Sequence, residues 1–319
     1  MRGLAAVVLV TTAACVTTPT STSESDATPA TPASEWIEIA PMNVARSEHP
    51  GVVVEGELVV AGGFIEVGVG RTGVTATVEA YAPETDAWHD LPALPVPVHH
   101  GMAASVSDRL FFIGGYSEPG DPVRNVWELV GDDWVDRASL PRPVAAGAAV
   151  AIDNQIYVVG GTPHGGMVRY DPTRDSWSEG PGPGLQREHV AAVAYEGEIW
   201  LIAGRWQGEI FDTTEIFDPV SGSWRAGPAL NESRSGFGAA VIDGAIVVAG
   251  GEVFGPDQAL STVERLEVGR GHWSLIDPVP HGIHGNPLLA LGPHLYLLGG
   301  STQTGGIEND GRSYRITPD

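Results

Sequence analysis

One repeated spacing constrains the fold of this chain more than any other feature. Six times an apolar run ends on a doublet of small residues, five times Gly-Gly and once Ala-Gly, and each doublet begins 26 residues after a tryptophan. The six pairs are Trp36 and Gly62, Trp88 and Gly114, Trp134 and Gly160, Trp177 and Ala203, Trp224 and Gly250, and Trp273 and Gly299. A period that returns this often indicates an array of similar structural units.

A second spacing divides each unit further. An aromatic residue or leucine stands seven residues before five of the tryptophans, at Tyr81, Trp127, Tyr170, Phe217 and Leu266. The intervening segments are rich in Asp, Pro, Gly and Ser, as a reversal between two strands requires. The distance from a doublet to the next tryptophan varies from 17 to 26 residues. Length variation is therefore confined to one loop per unit.

Each unit is predicted to contain four short strands. In the third unit they are "GAAVAI", "QIYVVGG", "VRYDP" and "SWSEGP". Small residues in the first strand suit a position where several copies crowd around an axis. Glycine at the end of the second strand is required where the backbone has a positive φ or approaches a neighbour closely. The tryptophan is interpreted as core packing between adjacent units.

The doublet, the spaced aromatic and tryptophan, and the turn "PMNVAR" before the first strand resemble the kelch repeat. The resemblance covers residues 35–319 and implies an all-β, six-bladed kelch-type β-propeller with four antiparallel strands per blade. The folded part begins with the tryptophan strand "EWIEIAP", and the chain stops after a third strand, "RSYRITPD". We therefore expect the N-terminal strand to complete the last blade and close the ring, which removes exposed sheet edges.

The N-terminal segment is predicted to lie outside the propeller. Residues 1–15, "MRGLAAVVLVTTAAC", have the layout of a secretory signal and are too short to span a bilayer as a helix. Cys15, the only cysteine, follows Thr-Ala-Ala and resembles a bacterial lipobox cysteine that becomes lipidated; an ordinary cleaved signal or a chance cysteine is the alternative. Residues 16–34 are predicted to be a disordered Thr/Ser/Pro tether. The expected location is extracytoplasmic, on a bacterial cell membrane.

The variable loops and the connections entering the first strands are expected on one face, where binding sites usually lie. Arg46, Arg187 and Arg234 stand 16 residues before a doublet in these connections, and Arg142 stands two residues earlier in its own unit. The resemblance implies that such arginines line the mouth of the central channel; alternatively, they belong to the repeat's own turn and bind carbonyl groups of neighbouring blades. Histidines in the same connections are His49, His99, His100, His189, His281 and His284.

These residues predict a binding module rather than a catalyst. Arginines would suit an anionic or carbohydrate ligand or an acidic peptide through bidentate bonds. A metal site that includes His281 and His284 and the His99–His100 pair is one interpretation of the histidines, but zinc or copper sites usually need a more defined ligand set. The histidines are therefore interpreted as solvated loop residues, and no metal or other cofactor is expected. The resemblance leaves a sugar-processing enzyme, like a sialic-acid mutarotase or epimerase, as the alternative, with Arg46 and Glu48 or Arg187 and Glu188 as the working pairs.

Two classes are excluded at this point. The copper oxidases among kelch propellers need a cysteine joined to a tyrosine, and residues 16–319 contain no cysteine. Nucleic acid is not an expected partner, because the net charge is -23 and a field of this sign repels a polyanion. A monomer is expected.

Overall fold

The computed structural model describes residues 35–68, 71–117, 120–255, 257–304, 308–309 and 311–318. The predicted signal peptide, Cys15 and the tether lie outside the described residues. Within these ranges the only helix is the 3-10 turn Val268–Arg270, and none is long and apolar enough to cross a bilayer. The prediction of an all-β fold is confirmed.

The described residues form six four-stranded antiparallel sheets, which are the blades. Blade 1 contains β2 (Gly51–Val54), β3 (Glu57–Ala61), β6 (Val78–Ala82) and β7 (Ala87–Leu91). Blade 2 contains β9 (Met102–Val106), β10 (Arg109–Ile113), β13 (Val126–Val130) and β14 (Asp133–Asp136). Blade 3 contains β15 (Ala145–Ile152), β16 (Gln155–Thr162), β17 (Met167–Asp171) and β18 (Ser176–Gly180).

The second half of the chain repeats this arrangement. Blade 4 contains β19 (Ala191–Tyr195), β20 (Glu198–Trp206), β21 (Glu209–Asp218) and β22 (Ser223–Ala226). Blade 5 contains β23 (Gly238–Ile242), β24 (Ala245–Ala249), β27 (Val263–Glu267) and β28 (Trp273–Ile276). Blade 6 contains β29 (Leu288–Leu291), β30 (His294–Leu298), β31 (Ser313–Ile316) and the N-terminal β1 (Ile37–Ile39).

Seven shorter strands form small sheets beside blades 1, 2 and 5. They are β4 (Phe64–Glu66) with β5 (Thr72–Val74), β8 (Val98–His99) with β11 (Tyr116–Ser117) and β12 (Asp121–Pro122), and β25 (Glu252–Val253) with β26 (Gln258–Ala259). Most belong to the loop between the second and third strands of a blade, where the sequence varies in length.

The hydrophobic core lies between the blades. Six clusters of buried apolar side chains are present in the described residues, and each joins two neighbouring blades. In one of them, Val59 and Ala61 of blade 1 pack with Phe112 and Trp127 of blade 2. Successive apolar side chains of a strand point to opposite faces of its sheet. Each face is therefore buried against a neighbouring blade.

The six repeat tryptophans also make one common hydrogen bond. Each indole N–H donates to the backbone carbonyl of the residue four positions after the preceding tryptophan, at 2.7 to 3.2 Å. The donor and acceptor pairs are Trp88 and Ala40, Trp134 and Pro92, Trp177 and Ala138, Trp224 and Pro181, Trp273 and Pro228, and Trp36 and Asp277. The tryptophan thus contributes a directional bond as well as apolar packing.

The glycine doublets allow neighbouring blades to approach each other. Gly63 has φ +101° and donates its N–H to Val98 O of the next blade at 2.8 Å. A Cβ on Gly63 would lie 2.6 Å from Ser47 O, and one on Gly62 would lie 2.3 Å from Val98 O. Side chains are therefore excluded by backbone at both positions, as well as disfavoured by the positive φ.

The ring is closed by pairing of the two ends of the described chain. β1 pairs antiparallel with β31, with Ile37 opposite Arg315, as the sequence predicts. The first strands β2, β9, β15, β19, β23 and β29 contact one another in this order, and β29 contacts β2.

Candidate functional site

The connection entering each first strand and the loop after each doublet lie side by side on one face. Ser47 and Phe64 exchange two backbone hydrogen bonds, at 2.8 and 3.1 Å, and Glu188 and Arg205 do the same at 2.9 Å. Equivalent pairing joins His99 to Tyr116 and brings His284 beside Ser301. We call this side the loop face.

Six residues form a closed circle of backbone hydrogen bonds on the loop face, which we call the inner ring. Each member stands 14 residues before the first residue of its doublet and has φ between +50° and +64°. The N–H of each donates to the carbonyl of the member in the preceding blade, at 2.7 to 3.0 Å. The members are Glu48, His100, Ala146, His189, Gly236 and Gly285.

The inner ring is one end of a central channel. The channel has a volume of about 720 Å³ and is lined by the first strands of all six blades, with residues such as Val52, Ala104, Ala149, Val193, Ala240 and Leu289. Small apolar residues in these strands thus create the space that the sequence predicts around the axis. Polar side chains in this lining are concentrated at the inner-ring end.

The Glu48 carboxylate is the centre of a cluster of side chains from four blades. Glu48 Oε2 lies 3.2 Å from His100 Nε2 and 4.0 Å from His189 Nε2. Its other oxygen, Oε1, lies 3.6 Å from His284 Nε2. A Cβ on Gly285 would come within 2.9 Å of Oε1. The small members of the inner ring therefore make room for the large ones.

The imidazoles of this cluster also contact one another. His100 Nε2 lies 2.9 Å from His189 Nε2, and His99 Nδ1 lies 2.6 Å from His100 Nδ1. His99 is stacked between two aromatic rings, with centroids 4.1 Å from Phe64 and 5.2 Å from Tyr116. The mouth of the channel therefore has an aromatic wall on the side of blades 1 and 2.

Arg205 links the cluster to two further carboxylates. Its Nε donates to Glu188 Oε1 at 2.9 Å, and Nη1 donates to Glu252 Oε1 at 2.5 Å. Nη2 lies 3.0 Å from His189 Nε2, and the guanidinium lies 5.0 Å from the ring centroid of Phe254. Arg205 and Glu252 follow their doublets directly. Neither residue is among the site residues predicted from the sequence.

Burial and charge determine the ionisation of the cluster. Burial lowers the pKa of His100 to about 3 and that of His99 to about 4. Burial alone would raise the pKa of Glu48, but the neighbouring histidines and Arg205 outweigh it and lower that pKa. At neutral pH, His99 and His100 are therefore neutral imidazoles beside an ionised carboxylate.

The three arginines expected at the channel mouth lie elsewhere. Arg46, Arg187 and Arg234 have no exposed surface. Arg46 donates to the carbonyls of Gly62 and Thr77, at 2.9 and 2.8 Å, and pairs with Glu79. The equivalent partners are Ala203, Thr213 and Glu215 for Arg187, and Gly250, Thr262 and Glu264 for Arg234. This geometry matches the alternative of a structural role, but the carbonyls that the arginines bind belong to their own blade and not to neighbouring blades.

The other predicted site residues are divided between the mouth and its surroundings. His99, His100, His189 and His284 belong to the cluster, whereas His49 is buried and lies against the second doublet glycine, Gly63. Arg142 pairs with the exposed Glu179 at 2.9 Å. Tyr314 contacts His281 at 3.5 Å. The interpretation of the histidines as solvated is wrong for His189 and His284, which are buried, whereas His99 and His100 are partly buried.

The contacts of the buried arginines differ from those that the enzyme alternative requires. Arg46 pairs with Glu79 and not with Glu48, and Arg187 pairs with Glu215 and not with Glu188. The arginine that contacts Glu188 is Arg205. Neither arginine–carboxylate pair predicted from the sequence is therefore formed.

Comparison with known proteins gives the same architecture. A profile described as "KLHDC2/KLHL20/DRC7 Kelch-repeats domain" matches residues 48–251, and one described as "Kelch motif" matches residues 233–280. The solved structure of YjhT is similar, with a TM-score of 0.73 and 15% identity, over 85% of this chain and 94% of that one. At this identity the likeness concerns the fold.

Curated relatives match shorter stretches. Kelch-like protein 35 of Mus musculus is 30% identical over 197 residues, which are 57% of this chain and 31% of that protein. Kelch-like protein 40 of Xenopus laevis is 35% identical over 83 residues, 26% of this chain and 13% of that protein. The chain thus matches less than a third of the length of either relative. Because the first profile covers more than half of the chain, the protein belongs to the kelch-repeat family.

Proposed function

We propose that this kelch propeller is a binding module whose ligand site is the channel mouth on the loop face. The observation that carries the proposal is the convergence of Glu48, His100, His189 and His284, from four blades, at one end of a channel with apolar walls. Buried polar groups that converge in a concave site are the usual basis of ligand recognition.

The charges at the mouth disfavour an anionic ligand. Glu48, Glu188 and Glu252 supply three carboxylates against the single guanidinium of Arg205, and the arginines expected to attract an anion are buried in the blades. A neutral, hydroxyl-rich molecule such as a sugar can donate hydrogen bonds to the carboxylates and pack against Phe64 and Tyr116 without electrostatic repulsion. We therefore propose a neutral carbohydrate rather than an anion.

Binding of a panel of neutral and acidic sugars, measured by calorimetry, tests this proposal. We expect saturable binding of a neutral sugar and a loss of at least tenfold in affinity in Glu48→Gln, since hydrogen bonds to charged groups contribute about 1.5–3 kcal/mol. Glu57→Gln is the matched control, because Glu57 begins β3, at the end of the strand opposite the doublet, and contacts His89 of the outer strand β7. A preference for acidic sugars would contradict the proposal. Equal affinity of Glu48→Gln and Glu57→Gln for the neutral sugar would also contradict it.

The second candidate is a sugar-processing enzyme. It is favoured by two carboxylate–imidazole contacts, Glu48 with His100 at 3.2 Å and Glu188 with His189 at 3.1 Å, because such pairs can exchange protons with a substrate. Any sugar that binds is also assayed for mutarotation and epimerisation. Turnover that is lost in Glu188→Gln, while binding remains, would establish the enzyme in place of the module.

The proposal includes lipid attachment through Cys15 on the outer side of a bacterial membrane. It is supported by the signal-like residues 1–15 and the Ser/Thr/Pro-rich residues 16–34. Mass spectrometry of the mature N-terminus should find a lipidated Cys15. An unmodified N-terminus at another residue would exclude the anchor.

A further inference from the structure

We infer that the channel mouth binds one divalent first-row transition-metal ion, with Glu48 Oε2, His100 Nε2 and His189 Nε2 as its protein ligands. The three atoms converge from blades 1, 2 and 4. Two imidazoles and one carboxylate are a donor set that suits Zn²⁺ and leaves a fourth position for a water or a ligand oxygen. This inference goes beyond the proposed function, since the ion can bind without a sugar.

The separations of the three donor atoms agree with a tetrahedral centre. Bonds of about 2.0–2.1 Å at the tetrahedral angle put two ligand atoms roughly 3.3 Å apart. The observed separations are 2.9 Å between the imidazole nitrogens, 3.2 Å between His100 Nε2 and Glu48 Oε2, and 4.0 Å between His189 Nε2 and the same oxygen. The values lie on both sides of the expected one, so small rotations of the side chains suffice.

A proton acceptor lies near the distal nitrogen of each imidazole. His189 Nε2 accepts a hydrogen bond from Arg205 Nη2 at 3.0 Å, so the ring proton is on Nδ1, which lies 3.1 Å from Glu188 Oε2. His100 Nδ1 lies 2.6 Å from His99 Nδ1, which can accept the Nδ1 proton of His100. A carboxylate or another acceptor behind each ligating imidazole fixes its tautomer and orientation.

The close approach of two imidazole nitrogens also favours a shared cation. His189 Nε2 already accepts a hydrogen bond from Arg205 Nη2 at 3.0 Å, so only a proton on His100 Nε2 can lie between the two nitrogens, which are 2.9 Å apart. A metal ion would use both lone pairs at once. Arg205 would release His189 but keep Glu188 and Glu252, whose charges offset its own.

The backbone positions the ligands before an ion arrives. Glu48, His100 and His189 have φ of +52°, +53° and +50° within the closed hydrogen-bonded inner ring. Holding donors on a rigid backbone reduces the ordering that binding would otherwise require. The neighbouring triad of Glu48, Glu252 and His284 is the weaker site, because Glu252 is already bound to Arg205.

The test uses the chelator-treated full chain and titrates Zn²⁺ against a chromophoric competitor. We expect one equivalent to bind, and bound Co²⁺ to give the visible absorption of tetrahedral coordination. His100→Ala and His189→Ala should abolish stoichiometric binding, and Glu188→Gln should weaken it about 10–100-fold, as for other groups that orient a ligand. His272→Ala, in an exposed loop, is the control.

Thermal unfolding of every variant without metal ensures that a loss of binding is not a loss of folding. Binding also predicts a rise in Tm of the unsubstituted protein with Zn²⁺, by mass action, and no rise in His189→Ala. Binding retained in both His100→Ala and His189→Ala, or no stoichiometric binding by the unsubstituted protein, would overturn the inference. Loss in His284→Ala alone would assign the ion to the other triad and also overturn it. Sugar binding is measured separately in chelator, so failure of either proposal is distinguishable.

Discussion

The position of the buried arginines in the repeat is compatible with two roles, ligand binding at the channel mouth or structural support within a blade. Arg46, Arg187 and Arg234 occur in the three blades that also carry a Thr-x-Glu segment at or within the third strand, for example Thr77, just before β6, and Glu79 in β6. The equivalent residues in the other blades are Val98, Val144 and Ile283. A guanidinium has five donors in a fixed plane, so it can satisfy two carbonyls, a hydroxyl and a carboxylate inside one blade.

Arg46→Ala is predicted to lower stability strongly. The substitution leaves Glu79 buried without its cation, and breaking a buried pair typically costs about 3–5 kcal/mol. Thermal unfolding should therefore shift down by several degrees, and Arg187→Ala and Arg234→Ala should behave alike. Arg225→Ala is the control, since its pair with Glu198 is partly exposed and such pairs contribute about 0–1 kcal/mol. An unchanged Tm in Arg46→Ala would rule out the structural role.

At the scale of the strands, blade 2 contains a charged cross-link. Glu128 of β13 accepts hydrogen bonds from Arg109 of β10 at 2.7 and 2.8 Å and from Arg137, just after β14, at 2.6 Å. Burial would raise the pKa of Glu128, but the two arginines outweigh it and lower that pKa. The ion cluster thus connects the second, third and fourth strands on one face of the sheet.

This lowered pKa predicts a pH-dependent stability. A depressed folded-state pKa contributes stability above the unfolded pKa, about 4.3 for Glu, and this contribution is lost as the pH falls through the folded value. The Tm difference between the unsubstituted protein and Glu128→Gln should thus be present at neutral pH and shrink as the pH falls below the unfolded pKa and through the lowered folded pKa. Glu55→Gln, in the exposed turn after β2, controls for the change in net charge. A difference independent of pH would contradict the assignment.

At the scale of the whole propeller, two concentric systems of hydrogen bonds connect the described blades. The six tryptophan indoles connect each blade to the preceding one toward the outside, and the inner ring connects the blades around the channel. Both systems continue across the junction of the two ends, through Trp36 with Asp277 and Glu48 with Gly285. The junction is therefore built like the other five interfaces of the described chain.

Removing β1 is predicted to open the ring. A chain beginning at Pro41 lacks Trp36 and Ile39, which are buried, and leaves β31 as an unpaired edge. We expect a lower Tm and concentration-dependent association, because exposed edges recruit other strands, measured by differential scanning calorimetry and sedimentation velocity. A chain beginning at Ala33 is the control, and its Tm and association state should equal those of the unsubstituted protein. A monomer of normal Tm without β1 would show that closure contributes little.

The sequence by itself determined the repeat, the four strands of each blade and the strand that pairs across the ends. These features follow from local spacing, since a tryptophan, a doublet and a turn each act within or beside one blade. The sequence also identified the connections that carry the site. It left open which position in those connections reaches the channel. The positions 16 and 14 residues before each doublet recur with the same regularity, so spacing alone does not distinguish them.

Only the tertiary structure showed which of these two positions reaches the channel. The positive φ of Glu48, His100 and His189 brings these residues to the inner ring, whereas the arginines two residues before Glu48 and His189 are buried among the strands of their own blades. Glu48 and His284 are far apart in the chain, yet Glu48 Oε1 lies 3.6 Å from His284 Nε2. No local pattern encodes this contact, because it exists only when the first and last blades meet. The candidate site is thus a property of the closed ring, while the blade is a property of the repeat.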